Sequence, residues 1–193
     1  MDNPLRERRR AQTAREIHVA AMELCQEMGL EAVTTEAIST RAGISLRTFF
    51  NYFPNKEAAI VNRPPDFPEA AVRKFAEGDG TLLEDMHGLL VAHLTQIDAN
   101  RKGGRMMQAL LRDNPGLKTA HEASMRGLIS ELSTILATRL DPDSKQLADI
   151  LAVMVICAIK DALDIWILEE EKSLSASIDE ILANLRQLGT VLR

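Results

Sequence analysis

The stretch from Thr34 to Glu57, TTEAISTRAGISLRTFFNYFPNKE, limits what this chain can fold into more than any other segment. Ile38 and Ala42 stand four apart, as do Phe49 and Phe53, so each pair marks one apolar face at helical spacing. Gly43 falls where the first helix has to stop and the chain has to turn, a position that often demands positive φ. Thr34 or Thr35 caps the first helix, Ser45 the second, and Asn55 a third after Pro54. Small Ser39 lets the first two helices cross closely. Left outward on the second helix are Leu46, Arg47, Thr48, Phe50, Asn51 and Tyr52, a set suited to a DNA groove. The pattern is that of a helix-turn-helix. Any small helical hairpin with a glycine turn shares the core spacing, but Lys56 adds something further. A cation in the first turn of a helix opposes the dipole unless an anion such as a phosphate lies opposite.

Composition narrows the class around that segment. At 193 residues the chain suits one compact unit or two small cooperating domains. Apolar residues make up 46% and aromatics only 4%, and no run of alternating β-branched residues stands out, so an all-α fold is expected. The N-terminus is charged without an apolar core, so no secretory signal is expected. The most hydrophobic stretch, Ile150 to Leu168, contains Lys160, Asp161 and Asp164, which excludes a membrane span. Cys25 and Cys157 fall on apolar helix faces and are expected to be buried thiols in a reducing cytoplasm. The net charge of −5 is unevenly spread. Residues 1–63 carry nine Lys and Arg against eight Asp and Glu, or +1, and the rest carries 14 against 20, or −6. A relatively basic head on an acidic body turns towards a polyanion. Arg6, Arg8, Arg9, Arg10 and Arg15 form either a solvated arm or a phosphate and minor-groove contact.

The expected division is residues 1–63 as a DNA-binding head and 64–193 as a ligand-binding and dimerisation body, separated by the stiff PPDFP link. Helix 1 is expected over about Arg9–Met28, with Ile17, Ala21, Leu24 and Met28 inward and Gly29 ending it. The fourth helix is expected from Asn55 to Arg63, the fifth from Pro68 to Glu77, and the next from the Thr81–Glu84 capping box to about Asp98. RKGGR reads as a basic turn before a helix at Met106–Arg112. Asn114-Pro115-Gly116 interrupts the pattern, and a long helix then reaches Leu140. Asp141-Pro142 starts another helix to about Glu171, and the last runs over Ser175–Leu192.

Two features of the body bear on function. The penultimate helix is apolar nearly all round between Ile150 and Ile167, so it needs cover on more than one side. The last helix shows a stripe of Ile178, Ile181, Leu182, Leu185 and Leu188, and these two helices from each subunit are expected to form a four-helix dimer interface. Met86, His87, Leu90, His93, Met106, Met107, Leu110, Met154, Cys157 and Trp166 form a methionine-rich, aromatic-poor set that would suit the wall of a pocket for a flexible apolar guest. Ordinary core filling is the competing reading for each. His87 and His93 are six apart, which does not favour paired metal ligation. No phosphate-cradling glycine loop, zinc spacing or nucleophile elbow is present, and no metal, cofactor or catalytic residue is expected.

GISLRTFFNYFPNKEAAI resembles the signature of TetR-family transcriptional regulators, in which a G-V-S-x-x-T-x-Y-x-Y-F-x-x-K-E-like stretch forms the turn, the recognition helix and the start of the fourth helix. Phe50 stands where that family usually has tyrosine, which removes a hydroxyl and leaves an apolar contact, for example to a thymine methyl. Pro64 and Pro65 end the fourth helix early. The variant RTFFxYFPxKE followed by that break resembles the branch with an acyl-CoA-like ligand-binding C-terminal domain. The resemblance implies a homodimeric repressor that leaves a pseudo-palindromic operator when a small apolar or amphipathic effector binds. It also implies that Arg47 and Thr48 meet base edges or adjacent phosphates. Ser45, Tyr52 and Lys56 would hold the backbone, with Thr35 and Arg41 as additions. Two alternatives keep the head: a body that serves only dimerisation or a protein partner, and a helical-bundle enzyme.

Overall fold

The computed structural model describes residues 4–96, 101–171 and 173–191, and the side chains at 4–8, 175, 188, 189 and 191 are not among those described. Expectations for Arg6, Arg8 and Leu188, and for helix ends at Asp98 and Leu192, therefore lie outside the described residues. The described residues form ten α-helices and two short 3-10 turns, with no strand among them. They group into two compact units, residues 1–63 with 106–124 and residues 64–105 with 125–193. One border between the units falls after Arg63, and residues 106–124 group with the first unit. Packing explains this: Leu117 is buried in the first unit's core, and Met106, Met107, Leu110, Leu111 and Ala120 lie against it.

In the first unit, α1 spans Pro4–Met28 and so begins five residues before the expected start. Proline is tolerated in a first turn, and the run LRERRRAQ is rich in straight-chain helix formers. Ile17, Ala20, Ala21, Leu24 and Cys25 point inward. Met28, expected inward, is 47% exposed, because the helix ends there and Gly29 turns the chain at φ 78°. A 3-10 turn at Leu30–Ala32 leads to α2 (Thr35–Arg41), α3 (Leu46–Tyr52) and α4 (Lys56–Val61). Ile17, Ile38, Phe49 and Ile60, one from each helix, are fully buried. Each such side chain contributes about 2 kcal/mol through its burial. His18 Nδ1 lies 3.0 Å from Ala59 O, which links α1 to α4, and burial holds that imidazole below its ordinary pKa.

The second unit holds α5 (Glu69–Ala76), α6 (Leu82–Leu94), the first turn of α7 (Arg101–Asp113), the later part of α8 (Pro115–Ala137), α9 (Lys145–Leu168) and α10 (Leu174–Val191). The capping box of Thr81 and Glu84 opens α6 as its sequence requires. RKGGR is helix, not turn. Arg101 Nε donates to Trp166 O (2.9 Å) and Arg105 Nη1 to Ile167 O (3.1 Å), carbonyls that α9 leaves open at its end. Arg101 also sits 4.4 Å from the Trp166 ring centre. A Cβ on Gly104 would stand 2.6 Å from Ile167 Cδ1, so glycine permits the approach. These contacts offset the weak helix propensity of the two glycines, about 1 kcal/mol each.

Phe75, Met86, Leu89, Leu90, Leu132, Leu136 and Val155 form the interior of this unit. Arg139 anchors the GDG turn, donating to Asp85 Oδ2 at 2.7 Å, Phe75 O at 2.8 Å and Gly80 O at 2.9 Å. Ile178, Ile181 and Leu182 of α10 are buried in the same core and Leu185 packs against it. Ile178, Ile181 and Leu182 of the expected dimer stripe thus pack within one chain, while Leu185 is only partly covered.

Candidate nucleic-acid interface

Local sequence builds the α2–turn–α3 unit almost bond by bond. Thr34 Oγ1 accepts from Ala37 N (3.2 Å) and Ser45 Oγ from Thr48 N (3.0 Å), so each helix has a side-chain cap on its first turn. Ser39, buried at the crossing, donates to Thr35 O at 2.7 Å. Gly43 has φ 67°, and the amides of Gly43 and Ile44 bond back to Thr40 O and Ser39 O, which closes α2 with a tight left-handed turn. No atom lies within 4 Å of the place a Gly43 Cβ would take, so glycine is required by backbone alone.

Phe49 and Phe53 enter the core and thereby fix which side of α3 faces outward. Leu46, Arg47, Phe50 and Asn51 are exposed on it, and Thr48 and Tyr52 are half-buried. Phe50 is 52% exposed, its ring standing edge-on to Phe49 at 5.4 Å between centres. Among the described residues Arg47 has no hydrogen-bond or ion-pair partner. A guanidinium held on a rigid helix beside an exposed ring can reach a phosphate or a base edge in a groove that admits the helix. Tyr52 is flanked by Arg10, whose guanidinium lies 5.5 Å from the ring centre, so α1 brings a cation to the end of the same face.

The other proposed DNA contacts have intramolecular partners. Arg41 donates from Nη1 and Nη2 to Glu27 at 2.9 and 2.6 Å and reaches Glu23 at 3.3 Å. That guanidinium holds the Glu27 carboxyl below its usual range. Lys56 Nζ donates to Leu30 O (3.0 Å) and Val33 O (2.9 Å), two carbonyls of the turn before α2, with one N–H left over. Ser45 spends its oxygen on its cap and lies 2.8 Å from Thr48 Oγ1. Thr35 Oγ1 donates to Glu36 at 3.2 Å. Arg41 and Lys56 therefore shape the unit whether or not DNA is bound, a role that spacing alone does not reveal.

The ten pocket candidates are not brought together. Met86, Leu90 and His93 are buried in the second unit, and Trp166 is covered by Arg101. His87 is paired with Asp179 at 3.1 Å near the surface. Met106, Met107 and Leu110 pack in the first unit. Met154 is half-buried on α9, and Cys157, expected buried, is exposed there. The apolar side chains left outward are instead Leu147, Ile150, Val153, Ile165 and Leu168, along one side of α9. The all-round apolar character of that helix was the signal for them. Among the described residues no group of three metal-ligating side chains occurs and no helix is long and apolar enough to cross a membrane.

Comparison with known proteins follows the same division. Residues 17–60 match the model of bacterial regulatory proteins of the tetR family. No protein of curated function matches the sequence. Three solved structures share the fold over nearly the whole chain. The TetR-family repressor FadR of Thermus thermophilus, in complex with lauroyl-CoA, is 20% identical over 88% of this chain and 91% of its own, with a TM-score of 0.52. The fatty acid degradation regulator FadR of Bacillus halodurans is 18% identical over 95% of each chain, with 0.54. NalD of Pseudomonas aeruginosa, the secondary repressor of the MexAB-OprM multidrug efflux pump, is 17% identical over 92% of this chain and 96% of its own, with 0.55. At such identities the likeness speaks for the fold.

Proposed function

We propose that the chain is a transcriptional regulator of the TetR kind, a homodimeric repressor released from its operator by a small apolar or amphipathic effector, as its matching DNA-binding head supports. The observation that carries the DNA-binding half is the outward side of α3, where Arg47, Phe50 and Asn51 stand exposed on a helix that Phe49 and Phe53 lock in place. Arg47 reads base edges or the adjacent phosphate, with Phe50 on an apolar base edge. Ser45, Thr48 and Tyr52 hold the sugar-phosphate backbone, joined by Arg10 and the remaining N–H of Lys56. Arg41 and Thr35 support this face by ordering the turns around it.

One recognition helix gives little affinity, and two joined in a dimer read successive half-sites of a pseudo-palindrome. The exposed Leu147, Ile150 and Val153, three apart on the first turns of α9, support that pairing, since apolar side chains left outward on a folded chain favour a partner. Neither effector nor operator follows from these side chains. Arg47→Ala is expected to weaken operator binding about tenfold or more and to relax preference at particular base pairs. An electrophoretic shift with the inverted repeat upstream of the gene, run against a scrambled repeat, measures both. A wild-type chain that bound the two duplexes equally would overturn the reading.

A further inference from the structure

Phe67 belongs to no helix, yet it is only 5% exposed and forms part of the second unit's core. It lies in the extended strap over residues 62–68. Prolines 64, 65 and 68 give the strap no amide hydrogens, so between 64 and 68 only Asp66 and Phe67 carry one. Two of the bonds that hold the strap run from Phe67 N to Glu131 Oε1 at 2.8 Å and from Gln96 Nε2 to Asp66 O at 3.1 Å. The Phe67 ring stacks on the His93 ring, with centres 4.2 Å apart and planes inclined by 25°. His93 is 1% exposed, and its Nδ1 is buried with no hydrogen-bond partner. A buried unpaired ring nitrogen is unfavourable, whereas an apolar side chain of the same shape would fill this place without that loss. The histidine is accounted for by a guest that stacks where Phe67 stacks and also bonds the nitrogen.

We propose that Phe67 occupies the effector's own slot, that the slot takes a planar aromatic ring bearing a hydroxyl, and that binding expels Phe67 together with the strap. The proposal rests on the reading that the body takes an effector, and it names the class. The guest keeps the stacking area that Phe67 gives up and adds one hydrogen bond. A hydroxyl both donates and accepts, so it satisfies Nδ1 in either tautomer of the neutral ring.

The test uses the full chain with phenol and with toluene, which match in shape and differ in the hydroxyl, in thermal-shift titrations and amide hydrogen exchange. Phenol is expected to bind about tenfold more tightly than toluene, the worth of one hydrogen bond. It is also expected to speed exchange of the Phe67 amide, since the bond to Glu131 is broken. His93→Phe keeps the stack and is expected to abolish the preference for phenol. Phe67→Ala leaves nothing to expel, and both probes are expected to bind about tenfold or more tightly with the preference intact. Equal affinities in the wild-type chain, no binding of phenol, or an unchanged or slower Phe67 amide with phenol bound each overturn the proposal. Operator binding without any probe is measured separately, so failure of the slot and failure of the DNA reading are told apart.

Discussion

Replacing Lys56 by methionine separates a structural from a DNA-contact role more sharply than any other substitution in the first unit. The ammonium donates to Leu30 O and Val33 O at 3.0 and 2.9 Å, from a partly buried position. Hydrogen bonds to a charged group contribute about 1.5–3 kcal/mol each when shielded, and partial access of water lowers that. Methionine keeps the stem and removes both donors, so a net loss of about 2 kcal/mol is expected. With a urea slope of about 2 kcal/mol per molar for a unit of this size, the unfolding midpoint should fall by about 1 M.

The chain holds one tyrosine, Tyr52 in the first unit, and one tryptophan, Trp166 in the second, so each unit carries its own emission reporter. Lys56→Met should move the tyrosine transition and leave the tryptophan transition in place. Arg47→Ala should move neither, because Arg47 has no partner among the described residues and its contribution comes only on DNA. Both variants should weaken operator binding. A tyrosine midpoint unchanged in Lys56→Met, with operator binding lost, would refute the reasoning and make this lysine a phosphate contact alone.

Stability should fall as the medium is acidified from about pH 7 towards pH 5, because burial holds the folded His18 and His93 below the unfolded value of about 6.5 and the unfolded chain then binds more protons. Tyrosine emission should follow the His18 contribution, and His93→Phe should flatten the dependence seen by tryptophan. Ile150→Asp, on the outward row of α9, should shift the chain towards monomer in sedimentation and weaken binding to a two-half-site operator without altering the folded helix content. Gly104→Ala should destabilise the second unit by about 1–3 kcal/mol, read as a lower tryptophan midpoint, because the new methyl would overlap Ile167.

The DNA-binding head was legible because its determinants are local. Thr34, Ser45 and Asn55 cap the helices they precede, Gly43 takes the left-handed turn, and the four-residue spacings put Ile38, Phe49 and Phe53 inside. What spacing could not supply was any bond between distant positions. Arg41 with Glu27 and Lys56 with Leu30 and Val33 each join residues more than a dozen apart, and a basic side chain near a recognition helix reads equally as a phosphate contact or as a brace. RKGGR failed for a related reason. Its glycines speak for a turn locally, and only the carbonyls at the end of α9, about sixty residues away, make helix the better state.

The last two helices show how two apolar surfaces compete for one interior. α10 has a single apolar row, so Ile178, Ile181 and Leu182 have only one way to leave water, and the protomer's own core takes them. α9 is apolar nearly all round, and one core can cover only one of its sides: Ala148, Ala152, Val155 and Ile159 turn in, and Leu147, Ile150, Val153 and Leu168 are left out. A chain that needed only to fold would gain solubility from polar residues on that outer row. An outer row kept apolar is what burial against a second copy would require, and the Ile150→Asp test above decides whether that copy is there.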